Sequence, residues 1–129
     1  MKPVNPATLS DPRGYNNGMS AGVGRLLFVA GQVGWNREEV MAEGLAAQFD
    51  QALFNILEVV RAAGGSPESI GRFTIFIKDK RQYMDLRKEI GAAYRKHMGR
   101  HYPAMSLVVV KDLLEDRALV EIEATAVIS

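Results

Sequence analysis

The chain has 129 residues, with 16 Lys and Arg against 15 Asp and Glu and no cysteine. That length accommodates one domain over residues 1–129, folding on its own apolar core without metal or disulfide support. The near-neutral balance gives no cause to expect a polyanionic partner, and the lack of thiols excludes disulfides, a thiolate metal site and a cysteine nucleophile.

The opening stretch MKPVNPATLSDPRG has no apolar core of the signal-peptide kind, and no apolar run nears the length of about 18 residues that a membrane span needs, so the cytoplasm is the expected location. Pro3, Pro6, Pro12, Gly14, Asn16, Asn17 and Gly18 predict an extended, irregular arm that lies on the rest of the fold. Residues 19–33 are apolar but broken at Gly22-Val23-Gly24, which predicts two short strands joined by a tight turn, the second being RLLFVAGQV. Leu45, Phe49, Ala52, Leu53, Ile56, Val59, Val60 and Ala63 then form the stripe of an amphipathic helix over 43–63, with Gly64-Gly65 as its stop and Ser66-Pro67 capping a single turn.

GRFTIFIK alternates as a strand, and Phe76 on its second face implies cover on both sides. Asp79 and Gln82 resemble a capping box, and Tyr83, Leu86, Ile90, Ala93, Tyr94 and His97 continue at helical spacing to Gly99, predicting a second helix. MSLVVVK and LVEIEATAVI, separated by DLLEDRA, predict a long hairpin closing the sheet. The resulting order, β-β-α-β-α-β-β, is α+β: a mixed sheet with two helices on one face. LLFVAG and SLVVV are apolar at nearly every position, so the other face also needs burial, and self-association into a homo-oligomer is the simplest cover.

Alternation along the last strand sends Glu121 and Glu123 to one side. Two readings stay open: a solvated face, or a cleft at a subunit boundary where partial desolvation suits a carboxylate to activating water. His97 and His101 have chelating spacing on a helix, but Gly99 separates them and no metal site is expected. The excess of Lys and Arg between residues 78 and 101 reads as a solvated helix face, since no aromatic stacking platform is interleaved with it.

GYNNG, LLFVAGQV, Gln48 and Asn55 in the first helix, AAGGSPESIGRFTIFIKD, AAYRKHMGRHYPAMS and VEIEATAV together resemble the RidA/YjgF family, also called endoribonuclease L-PSP. The resemblance implies a chorismate-mutase-like α+β fold, a homotrimer whose sheets form an inner barrel, and clefts between subunits. It also implies hydrolysis of imines or enamines to ketones and ammonia without a cofactor. By the same resemblance Glu121 orients or activates the water, Tyr15 stands near the same cleft, and Gly31 with the residues after Pro103, including Ser106 and Leu107, lines the pocket.

One position departs from the family pattern. The deaminase motif carries an arginine after Pro-Ala, where this chain has Met105, and a thioether neither donates a hydrogen bond nor carries charge. Losing such an anchor costs on the order of 2 to 5 kcal/mol of binding. Lys88, Arg95, Lys111 and Arg117 are conceivable substitutes, but 88 and 95 read as water-facing helix positions and 111 and 117 as flanks of the hairpin loop. The expected pocket is therefore less polar, walled by Met105 and by Trp35, unless Trp35 merely packs at the end of its strand. The expected function is a hydrolase of imines, enamines or related C=N compounds other than the standard 2-imino acids. The alternative is a non-catalytic small-molecule-binding trimer, with RNA cleavage ranked last.

Overall fold

The computed structural model describes residues 1–129. Helix α1 (Leu45–Ala62) buries Leu45, Gln48, Phe49, Ala52, Leu53, Ile56, Leu57 and Val60, close to the stripe read from sequence. Full burial of each large apolar side chain contributes roughly 1.5 to 3 kcal/mol, which makes this helix the main anchor of the core. Gly64, at φ 91°, ends it, and the Gly65 N–H donates to the Val60 carbonyl at 2.9 Å. A single 3-10 turn, Pro67–Ser69, follows.

Four strands make the main sheet: β3 (Arg25–Val33), β4 (Ile70–Ile77), β5 (Ala104–Val109) and β6 (Val120–Ile128), in the order β3-β6-β4-β5. β6 runs antiparallel to both of its neighbours, and β5 lies parallel to β4 at the edge. Phe73, Ile75 and Ile77 of β4 and Val120, Ile122, Ala124, Ala126 and Ile128 of β6 point into one core with α1 and with Ile90, Ala93, Tyr94 and Met98 of the second helical segment. The opposite face has no helix. Phe28 is 73% exposed there and Leu26 58%, with Val108 also open to solvent.

Three sequence expectations change. The apolar residues before Gly22 do not pair with RLLFVAGQV; β2 (Gly18–Ser20) instead pairs with β1 (Lys2–Val4) in a separate small sheet, so the arm is partly regular. Val23 is fully exposed and β3 pairs with the distant β6. β5 and β6 do not form a hairpin, because β4 inserts between them. The second helix is two, α2 (Lys80–Asp85) and α3 (Arg87–Met98), broken at Leu86. The α+β class and the mixed sheet hold.

Gln48 is the one buried polar side chain of the core and acts as a fastener. Its amide nitrogen donates to the carbonyls of Ala42 and Arg117, both at 3.1 Å, and its oxygen accepts the Leu119 N–H at 2.7 Å. It thereby ties α1 to the loop before it and to the residues leading into β6.

Candidate functional site

Pairing between β3 and β6 passes from Val29↔Ala124 to Gln32↔Ile122, so Ala30 and Gly31 together oppose the single residue Glu123. This bulge kinks β3 beside the half-buried Glu121. A Cβ at Gly31 would lie 2.5 Å from Glu121 Oε2, so the absence of a side chain there is what lets the carboxylate rest against the strand. Glu123 shares the face but is exposed.

A second feature lies on the helix side of the sheet. Asn16 donates its side-chain amide to the Tyr102 carbonyl and its N–H to the Pro103 carbonyl, the latter at 3.1 Å. Asn5 Oδ1 accepts the Asn17 N–H at 2.8 Å. These bonds pin the arm at the start of β5 and place Arg13, Gly14 and Tyr15 over a cavity of about 490 Å³. Its apolar floor is Phe49, Ile75, Ile90, Met105 and Leu107; Tyr15, Tyr83, Tyr94 and Tyr102 form the walls, and Arg13, Arg87 and Arg95 complete it, with no carboxylate in the lining. Size and lining suit a small organic ligand.

Tyr94 stacks on Tyr102 with ring centroids 5.1 Å apart and donates its hydroxyl to the His101 carbonyl at 2.7 Å. Burial, with Tyr102 adding to it, holds the Tyr94 hydroxyl well above the usual phenol range. Burial also raises Tyr83, against an opposing pull from Arg87. Both phenols therefore remain neutral hydrogen-bonding groups rather than bases at ordinary pH.

The residues singled out from sequence divide between these two places. Met105 is in register with Phe73 and Leu107 with Ile75, so both point to the helix side, where they meet Tyr15. Ser106, in register with Thr74, turns to the uncovered face and is exposed. Gly31 and Glu121 belong to that uncovered face too. Trp35 is outside the Met105 cavity: it bridges to Met41 past the end of β3 and packs on the small cluster of Val33, Met41 and Ala118. Because Met105 and Glu121 lie on opposite faces of one sheet, a site that uses both has to be built from two copies of the chain.

Of the four candidate substitutes for the missing arginine, Arg95 is exposed as expected yet borders the cavity, while Lys88, Lys111 and Arg117 do not line it. Arg13 and Arg87 were not singled out from sequence. The available signal was the spacing Arg87-Gly91-Arg95, which puts two arginines on one helix face with a gap between them.

His97 Nε2 lies 2.6 Å from Asp50 Oδ1, whereas His101 Nε2 lies 2.7 Å from the Ile70 carbonyl, so the two histidines serve separate structural contacts. Within the basic stretch, Lys78 pairs with Asp112 at 3.2 Å and Lys96 with Asp50 at 2.9 Å. No helix is long and apolar enough to cross a membrane.

The family profile described as endoribonuclease L-PSP matches residues 8–128. The chain is 35% identical over 107 residues to the 2-iminobutanoate/2-iminopropanoate deaminase of Escherichia coli K12, covering 81% of each chain. It is 30% identical over 127 residues to a RutC family protein of Pyrococcus horikoshii, covering 97% of this chain and 89% of that one. Among solved structures, the Rid-family protein YyfB of Yersinia pestis superposes with a TM-score of 0.84 at 33% identity, covering 98% of both chains. E. coli TdcF with bound serine gives 0.72 at 29% identity, covering 94% of this chain and 91% of that one.

Proposed function

Because this chain belongs to the endoribonuclease L-PSP family, the RidA/YjgF proteins, we propose that it hydrolyses an imine or enamine to a ketone and ammonia in a cleft shared by neighbouring copies of a homotrimer. The observation that carries this reading is the Glu121 carboxylate lying half-buried against the side-chain-free bulge at Gly31, on the sheet face that nothing in the single chain covers. A second copy laid on Leu26, Phe28 and Val108 would bury that face and desolvate the carboxylate. No cofactor is needed for the chemistry: water adds to the electrophilic carbon of C=N, Glu121 takes the water's proton, and the resulting carbinolamine loses ammonia once its nitrogen is protonated. The C–N bond breaks, a C=O bond forms, and water supplies the oxygen and both protons. Tyr15, held over Met105 by the pinned arm, is a hydrogen-bonding partner for the substrate.

Met105 contributes a thioether where a strand arginine would grip a carboxylate, so short 2-imino acids lose that anchor. Ammonia release should be followed with freshly generated imines, some bearing a carboxylate and some not, using wild type and Glu121→Gln. A fall of at least about 100-fold in the variant is expected; equal rates would end the hydrolytic reading. The loss at 105 favours one rival, a binding trimer that kept the cleft without the chemistry; E. coli TdcF, to which the chain is similar, holds a bound serine. Saturable binding of a small molecule with no turnover of any imine distinguishes it.

A further inference from the structure

The cavity under the arm holds three guanidinium groups and no compensating acid. Lys78, Arg81, Lys96 and Arg117 all enter ion pairs, whereas Arg13, Arg87 and Arg95 enter none. Arg87 spends its Nε on the Met84 carbonyl at 3.0 Å, which steadies the side chain and leaves its terminal nitrogens available. At Gly91, one turn from each of Arg87 and Arg95 on α3, a Cβ would stand 3.2 Å from Arg95 Nη1, so the glycine supplies the notch into which that guanidinium folds back. Like charges gathered along an apolar wall repel one another and raise the local potential toward an anion. Planar guanidinium forks match a carboxylate in particular.

We propose that this cavity binds an organic carboxylate with an aromatic-sized apolar body. Arg87 and Arg95, assisted by Arg13, hold the carboxylate, and the body lies between Tyr15 and Tyr83 over Met105. The cation missing from strand β5 is thus replaced from helix α3, and position 105 contacts the body instead of the charge. Short acids that the strand arginine would suffice to hold lack the body that fills the apolar floor. Taking this cavity as the substrate-binding half of the shared cleft rests on the function proposed above; the binding itself does not require turnover.

The test is calorimetric titration of the full chain with 3-phenylpropanoate, its neutral isostere 3-phenylpropanamide, and propanoate. The aromatic acid should bind about tenfold tighter than the amide, and propanoate more weakly than the aromatic acid. Replacing both Arg87 and Arg95 by Ala should weaken the acid roughly tenfold and leave the amide unchanged. Lys88→Ala, which removes a neighbouring charge outside the cavity, should change neither. Gly91→Ala keeps every charge and obliges Arg95 to give by a few tenths of an ångström, so it should weaken the acid less than the double variant does and leave the amide unchanged. All these residues except Gly91 are exposed and Gly91 is partly so, and a thermal melt of each variant confirms that the fold is retained. Equal binding of acid and amide, binding of neither, or wild-type affinity for the acid in the double variant would overturn the proposal. Glu121→Gln separates the two readings: acid binding that depends on Arg87 and Arg95 without any turnover defeats the hydrolase and leaves this site standing, while Glu121-dependent turnover with no preference for the acid does the reverse.

Discussion

Adding one methyl group at Gly31 separates where the Glu121 carboxylate sits from whether it is present. The new Cβ would stand 2.5 Å from Oε2, 2.9 Å from Cδ and 3.1 Å from Cγ of Glu121, well inside van der Waals contact. Gly31 is not among the positive-φ glycines, so alanine fits the backbone without strain. The atoms it strikes are the outer part of a flexible side chain, which can rotate away at a cost of order 0.5 to 1.5 kcal/mol. For a chain of this size that is a fall in Tm of about 5 °C or less. The catalytic cost is larger, because moving a general base by about 1 Å forfeits on the order of 100-fold in rate. Gly31→Ala should therefore keep the fold and lose about 100-fold in ammonia release from imines generated in situ, measured above the spontaneous rate, with Glu121→Gln losing at least as much. Wild-type rates in Gly31→Ala would show that the carboxylate need not lie against the bulge, and the assignment of Glu121 would fall.

Gln48→Ala removes three partly buried hydrogen bonds, from the Leu119 N–H and to the Ala42 and Arg117 carbonyls, so urea unfolding should show a loss of about 3 kcal/mol. Burial raises the Asp50 carboxyl, but hydrogen bonds and charge from His97 and Lys96 outweigh it and hold the group below its ordinary value of 3.8. A carboxylate lowered on folding adds stability above its unfolded pKa and loses it as the pH falls through the folded one. Wild type should thus lose stability below about pH 4 more steeply than Asp50→Asn in thermal melts taken down the acid range. Phe28→Asp puts a charge on the uncovered sheet face, where it costs the single chain little at 73% exposure; light scattering should shift to the 14.2 kDa monomer with the circular dichroism retained.

What could be read in advance follows the range over which the determining contacts act. Helix α1 was legible because its stripe is a local property, repeating every turn from Leu45 to Val60. Strand alternation likewise separated Glu121 from Ile122 without any knowledge of neighbours. The errors arose where pairing is decided by residues far apart in sequence. Gly22-Val23-Gly24 has the composition of a hairpin turn, yet β3 finds its partner in β6 about a hundred residues later, and the arm pairs with itself. The preference for joining consecutive strands misplaced β5 beside β6, since nothing local announces that β4 takes the position between them. The break at Leu86 leaves the apolar spacing of Tyr83, Leu86 and Ile90 intact and so gave no signal. At the candidate site, Glu121, Gly31, Tyr15 and Met105 stand out by their resemblance to family motifs, but their division between two faces depends on the register of β5 against β4. Arg13 could not have been placed, because its position over the cavity depends on Asn16 gripping Tyr102 and Pro103 across the fold.

That division constrains any chemistry the chain performs. An acid on the bare face of the sheet and a cation-lined cavity on the helix face cannot act on one small molecule within a single chain, since the sheet stands between them. Apposing the bare face of one copy to the edge of another removes the barrier, because β5 is the edge strand and its outer end, at Val108 and Val109, is already exposed. The same contact would bury Phe28 and Leu26 and exclude water from Glu121. On the proposed function, assembly and completion of the site would be one event. Met105 fits this arrangement as the floor between the two halves: an apolar, adaptable surface at the edge strand, with charge supplied from α3 on one side and from β6 of the neighbouring copy on the other.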